Sequence, residues 1–278
     1  MRQRTIKYAI TTEGVGLQTG RKTTLTLKNA PVDSGINFIR TDLPNKPLLN
    51  IKSINLSADA QRPERRTTLG VGPVQVQTTE HLLAALSGLS INNIVIECDG
   101  EELPGLDGSA KGFVNLIRQA GVMDQGTPQR VLTLKEPVSC RGKDCILMVF
   151  PDDNFRITYT LSYRDQAIGT QLFDIVLNEK AFEEEVAPAR TFCLEEEAKA
   201  LLRRGLGKGA NYENTLVMSK AGPVKTRLRF PDEPVRHKVL DLIGDLYVLG
   251  VPIQAHVVAV KSGHRLNMEL VEKLKKLI

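Results

Sequence analysis

Two stretches of this chain repeat one pattern, and the repetition narrows the folds open to it. His81-Leu82-Leu83-Ala84-Ala85-Leu86 reaches Gly88 seven residues after its histidine, with Leu89 following. His237 reaches Gly244 at the same spacing, with Leu246 close behind. Both stretches read as helices, and each leads into an apolar strand: Ile94-Val95-Ile96 in one case, residues 255–260 in the other. Strand-like alternation marks residues 6–10, 23–27, 36–40 and 74–76 in the first half. It marks 131–134, 146–150, 155–161 and 215–218 in the second. Further helices are expected over 109–120, stopping at Gly121, and over 194–204, which starts acidic and ends basic as the helix dipole prefers. Residues 122–130 read as a linker. The expectation is an α+β chain of two similar domains, 1–125 and 126–278, each a sheet packed on helices.

The second repeated helix carries the most specific chemistry. His237 and Asp241 project from one helical face about a turn apart, as two ligands for a divalent metal. His81 supplies a third from the other half, which puts the site at the interface of the halves. Three protein ligands and an open position describe a catalytic zinc site. Glu80 precedes His81 and is placed to act as the base. His264, read as part of a short polar loop after a strand, is the candidate acid, with Asp245 orienting it. His256 alternates with apolar residues and reads as structural.

Composition removes several other classes. The cysteines (Cys98, Cys140, Cys145, Cys193) form no C-x-x-C pair, so the metal is bound by nitrogen and oxygen. The net charge of +5 suits an anionic partner. Trp is absent and aromatics are 5%, which leaves few platforms for stacking bases, so no nucleic acid is expected and a phosphate-bearing small substrate fits instead. Gly205-Leu206-Gly207-Lys208-Gly209 lacks the Ser or Thr and the spacing of a nucleotide-triphosphate loop. No apolar run approaches the roughly 18 residues of a membrane span. No signal peptide is visible, so a cytoplasmic monomer is expected. The closing helix over 268–278 is amphipathic and expected to pack on its own domain, with at most peripheral membrane contact.

Taken together, Thr79-Glu80-His81-Leu82-Leu83-Ala84-Ala85-Leu86, Ala189-Arg190-Thr191-Phe192, the run from Arg236 to Leu246, and Lys261-Ser262-Gly263-His264-Arg265-Leu266-Asn267 are far more specific than separately. Through them the chain resembles the UDP-3-O-acyl-N-acetylglucosamine deacetylases of lipid A synthesis. The likeness extends from the Glu13-Gly14-Val15-Gly16-Leu17 turn and Leu103-Pro104-Gly105-Leu106-Asp107-Gly108-Ser109 to the final helix. It implies two β-α-α-β domains sandwiching the site, one insert in each, and zinc-dependent hydrolysis of the substrate's N-acetyl group. His81, His237 and Asp241 would hold zinc, Glu80 would activate the water, and His264, partnered by Asp245, would protonate the departing amine.

The resemblance further implies that Thr191 polarises the acetyl carbonyl or steadies its oxyanion, and that Lys238 and Phe192 lie near the substrate. The insert over about residues 193–217 would form a passage for the fatty acyl chain, with Ala198, Leu202, Gly207 and Ala210 along it. Each buried methylene contributes roughly 0.8 kcal/mol, so passage length can select acyl length. Tyr163 is expected to face the uracil and Lys143 the diphosphate, although Ser162 stands where the family more usually has Asp. A two-histidine, one-aspartate site also accepts iron(II). The alternatives are a zinc amidohydrolase for another acylated amino sugar, and a non-catalytic nucleotide-sugar binding protein.

Overall fold

The alternating segments pair into two larger sheets. The computed structural model describes residues 1–53, 65–164 and 167–278. The first sheet runs, in spatial order, Ile10–Val15, Lys22–Asn29, Ile94–Cys98, Ile36–Arg40, Leu48–Asn50. The second runs Val138–Arg141, Ile146–Pro151, Ile253–Val260, Phe155–Ser162, Thr170–Val176, with Leu132–Thr133 joined to Ile253–Val260. In both, the central strand is antiparallel to the strand before it and parallel to the one after. That central strand is the one following the histidine-bearing helix, so the sequence repeat is also a repeat of topology. The fold is α+β. No helix among the described residues is long and apolar enough to cross a membrane.

Among the described residues six α-helices accompany the sheets: α1 (Glu80–Gly88), α2 (Lys111–Ala120), α3 (Glu179–Ala181, continuing into a π turn, Phe182–Val186), α4 (Glu195–Arg203), α5 (Glu233–Leu246) and α6 (His264–Lys275). Leu and Ala give α1 strong helix propensity, and all of it but Ser87 is buried, which makes it a central helix. α5 has Pro234 in its first turn, where the missing N–H costs nothing. α1 and α5 pack on each other. Gly244 makes this approach possible, because a Cβ there would lie 2.0 Å from the Glu80 carbonyl oxygen. Gly88, its counterpart in the repeat, does a different job: a Cβ there would strike the Phe182 ring at 2.1 Å.

Three expectations are corrected. Val122–Pro128 is a strand paired antiparallel with Arg2–Ile6, where a linker was expected. The N-terminal strand needs a partner for its backbone groups, and this segment supplies it. His264 is the first residue of α6, where a polar loop was expected: extended Gly263 (φ −156°) is the N-cap, so the helical frame starts four residues before Met268. Residues 6–10, expected as one strand, are instead the end of Arg2–Ile6, a bend over 7–9 and the start of Ile10–Val15, because the chain turns there from one sheet to another; boundaries elsewhere shift by a residue or two. Thr170–Val176 is an additional strand whose exposed side carries Leu172 and hides its alternation. Around α4, Phe192–Leu194, Leu216–Ser219 and Gly222–Pro223 form a small three-stranded sheet.

Candidate active site

The α1–α5 contact brings His81, His237 and Asp241 together, with one potential ligand atom from each within 4.8 Å of the others. All three are buried. The Nδ1 of His237 lies 3.0 Å from the Ala189 carbonyl, which can only accept, so Nδ1 is the donor. The Nε2 then faces Asp241 Oδ1 at 3.2 Å. Two lone pairs at that distance repel unless a cation, proton or metal, sits against them. Burial first, and the neighbouring His237 second, push His81 down to about 3. It is therefore neutral near pH 7 with a free lone pair, and its Nε2 is 3.9 Å from Asp241 Oδ1. Burial alone would raise Asp241, but His237 and Lys238 overcome it and hold the carboxyl well below its ordinary value. The donor set fits a divalent metal.

The Ala189 carbonyl is itself held. The next residue, Arg190, pairs in the interior with Glu233 at the start of α5 (2.9 Å), and the Arg190 N–H donates to the same carboxylate at 3.0 Å. The Ala-Arg-Thr-Phe segment thus aims a carbonyl at His237 while Thr191 and Phe192 face the cavity.

A buried carboxylate, Glu80, and an imidazole, His264, lie near the three side chains. Burial pushes Glu80 up to about 7; His264 opposes this, while Asp241 and Asp245 add to it. His264 Nδ1 donates to Asp245 Oδ2 at 2.8 Å and its Nε2 lies 3.8 Å from Asp241 Oδ2. Burial would lower His264, but Asp245 outweighs it and the group rises to about 9. Lys238 lies mostly buried, 2.5 Å from Asp241 Oδ2. Burial would lower its ammonium, yet Asp241 and Tyr159 turn the net shift upward.

Sequence reasoning missed Thr67 and Asn267. Thr67 is buried; its N–H donates to Glu80 Oε2 at 3.0 Å, its hydroxyl donates to Asp245 Oδ1, and that hydroxyl is 3.2 Å from His264 Nδ1. One residue therefore touches Glu80, Asp245 and His264. Asn267 donates to Asp245 Oδ2 at 2.7 Å. Its position three residues after His264 on one helical face was a legible signal. Thr67 had none, because its partners are distant in sequence.

These groups open into a cavity of about 780 Å³. Tyr163, Ala198, Leu202, Gly207 and Ala210 line it, with Leu201 and Val217 adding apolar surface. The Tyr163 and Phe192 rings are 5.9 Å apart, and Phe192 stands 6.4 Å from the His237 ring. Lys143 is exposed between Val138–Arg141 and Ile146–Pro151 and is not among the lining residues. Arg65, Arg66, Lys261 and Arg265 are.

A buried trio that fits a metal, with a carboxylate and an imidazole beside it, can activate water and protonate a leaving group, the work of a metal-assisted hydrolase. The family model of the UDP-3-O-acyl N-acetylglycosamine deacetylases (LpxC) matches residues 3–276. The chain belongs to that family. It is 42% identical over 274 residues to a UDP-3-O-acyl-N-acetylglucosamine deacetylase of Anaeromyxobacter sp. (strain Fw109-5), covering 98% of this chain and 88% of that one. It is 42% identical over 276 residues to the protein of that name from Chlamydia abortus, covering 98% and 96%. A third so named, from Bdellovibrio bacteriovorus, is 38% identical over 273 residues, covering 98% and 89%.

Proposed function

We propose that this chain hydrolyses the N-acetyl group of UDP-3-O-acyl-N-acetylglucosamine, giving acetate and the free amine, in lipid A biosynthesis. The observation that carries this is one cavity holding a metal-fitting trio, a buried carboxylate and imidazole beside it, and apolar lining residues. In this account residues 1–125 supply Glu80 and His81, and residues 126–278 supply the other ligands, the acid and the acyl passage. A divalent metal held by His81, His237 and Asp241, zinc or alternatively iron(II), would supply Lewis-acid polarisation of the acetyl carbonyl and a more acidic water.

The chain's own residues do the rest. Glu80 takes the proton from the attacking water; its elevated pKa lets it hold that proton near neutral pH. The Thr191 hydroxyl donates to the developing oxyanion, and the Lys238 ammonium keeps positive charge nearby. As the C–N bond breaks, His264 gives a proton to the amine, and Asp245 supports its charged form. Phe192 lies near the substrate, Tyr163 faces the uracil, and Ala198, Leu202, Gly207 and Ala210 admit the acyl chain. Arg65, Arg66, Lys261 and Arg265 suit the diphosphate better than Lys143 does, because they face the cavity.

The test is acetate release from UDP-3-O-acyl-N-acetylglucosamine by metal-quantified protein, before and after chelation and zinc add-back. Activity that disappears with the metal and returns near one zinc per chain is expected. Zinc-loaded protein that releases no acetate refutes the proposal.

A further inference from the structure

Glu102 is 1% exposed, and its carboxylate contacts belong to neither the ligands, the base nor the acid. Its Oε1 accepts from the Gln18 N–H (2.8 Å) and the Thr78 hydroxyl (2.9 Å). Its Oε2 accepts from the Thr19 N–H (2.8 Å) and the Thr19 hydroxyl (2.7 Å). Four neutral donors fill the acceptor positions of one buried carboxylate. Gly16 is shaped to it, since a Cβ there would lie 2.3 Å from Oε2.

Each pair of partners leads to a different part of the cavity. The Leu17–Gln18–Thr19 turn clasps the loop over residues 207–209 within the acyl-passage insert. The Leu17 carbonyl accepts from the Gly209 N–H (3.1 Å), and the Gln18 carbonyl from the Lys208 N–H (3.2 Å). The Gln18 side-chain oxygen accepts from the Gly207 N–H (3.2 Å). On the other side, Thr78 has a left-handed backbone (φ +57°), which strains a residue carrying a β-branched side chain. It stands two residues before Glu80 and three before His81. Leu17, Gln18, Thr78, Gly207 and Ala210 all line the cavity.

We propose that Glu102 is a positioning residue for acyl-chain selection: by holding the Leu17–Thr19 turn and Thr78 on one carboxylate, it fixes the wall of the acyl passage relative to the start of α1. This rests on the assignment of the cavity to an acylated substrate. A buried carboxylate with only neutral partners is unfavourable unless every acceptor position is filled, so replacing one oxygen by a donor turns two attractions into repulsions.

The experiment measures kcat and KM of the zinc-loaded enzyme on UDP-3-O-acyl-N-acetylglucosamines of long and short acyl chain, for wild type, Glu102→Gln and Thr19→Val. Thr19→Val removes one of the four bonds and serves where Glu102→Gln does not fold. The expected result is a fall of about tenfold in the long-over-short ratio of kcat/KM for Glu102→Gln, through KM, and a smaller fall for Thr19→Val. A purely structural role would lower both substrates together and leave the ratio alone. If wild type prefers the long chain and the ratio stays within twofold in the folded variants, the role of Glu102 is wrong while the passage stands. If wild type itself shows no chain-length preference, the passage assignment fails and the proposal falls with it.

Discussion

Gly244→Ala isolates the geometry on which the site depends. The added methyl carbon would sit 2.0 Å from the Glu80 carbonyl oxygen, about 1 Å inside the closest approach that real Cβ atoms show. The obstacle is helix backbone, so it cannot swing away; α1 and α5 must part. Overpacking of this kind costs about 1–3 kcal/mol. Alanine's better helix propensity returns about 1 kcal/mol. The net loss is therefore about 0–2 kcal/mol, a fall in Tm of less than roughly 8 °C for a chain of this size. Function should suffer far more. α1 carries Glu80 and His81, and α5 carries His237 and Asp241, so parting the helices pulls the ligands apart. A displacement of ~1 Å at a reacting centre can cost ~10²-fold in rate. The assay is acetate release at saturating zinc, with metal affinity by competition and Tm by thermal melt on the same sample. Expected are weaker zinc binding and a rate lower by about two orders of magnitude, with Tm lowered by less than roughly 8 °C. Wild-type rate and zinc affinity would refute the claim that this contact sets the site.

Three further outcomes follow from the same geometry. Glu80→Gln should retain zinc, measured by metal content, while kcat drops by about 10²–10⁴, the contribution typical of a positioned base; loss of metal instead would make Glu80 a ligand. The pH profile of kcat/KM should be bell-shaped. The base must be unprotonated, so activity falls as pH drops through a limb set by Glu80, raised to about 7 and pulled lower by any bound cation. The acid must be protonated, so activity falls again as pH rises through the His264 limb near 9, and Asp245→Asn should move that limb down, because Asp245 is what raises it; an unmoved limb would contradict this. Thr67→Val removes the hydroxyl from Asp245 and His264 but keeps the N–H to Glu80, so kcat should fall by about tenfold with zinc content unchanged; an unaltered kcat would leave Thr67 a bystander.

The sequence by itself determined what local geometry can determine. Helical spacing put His237, Asp241 and Asp245 on one face, because 3.6 residues per turn is a property of the backbone whatever surrounds it. Period-two alternation located most strands, and the repeated helix-to-strand order corresponds to two sheets of one topology. Motif likeness singled out Glu80, His81 and His264 and gave the family. Only the tertiary structure decided which distant groups meet. Gly244 against Glu80 brings the two helices together. The Ala189 carbonyl selects the His237 tautomer, and Thr67, far from Asp245 in the chain, ties Glu80 to Asp245 and His264. Burial pushes the Glu80 carboxyl up and the His81 imidazole down from their ordinary values. The same packing turned the expected linker into a strand and left Lys143 away from the cavity. These outcomes depend on contacts between residues far apart in the chain and on the loss of water around them, and a local pattern of residues encodes neither.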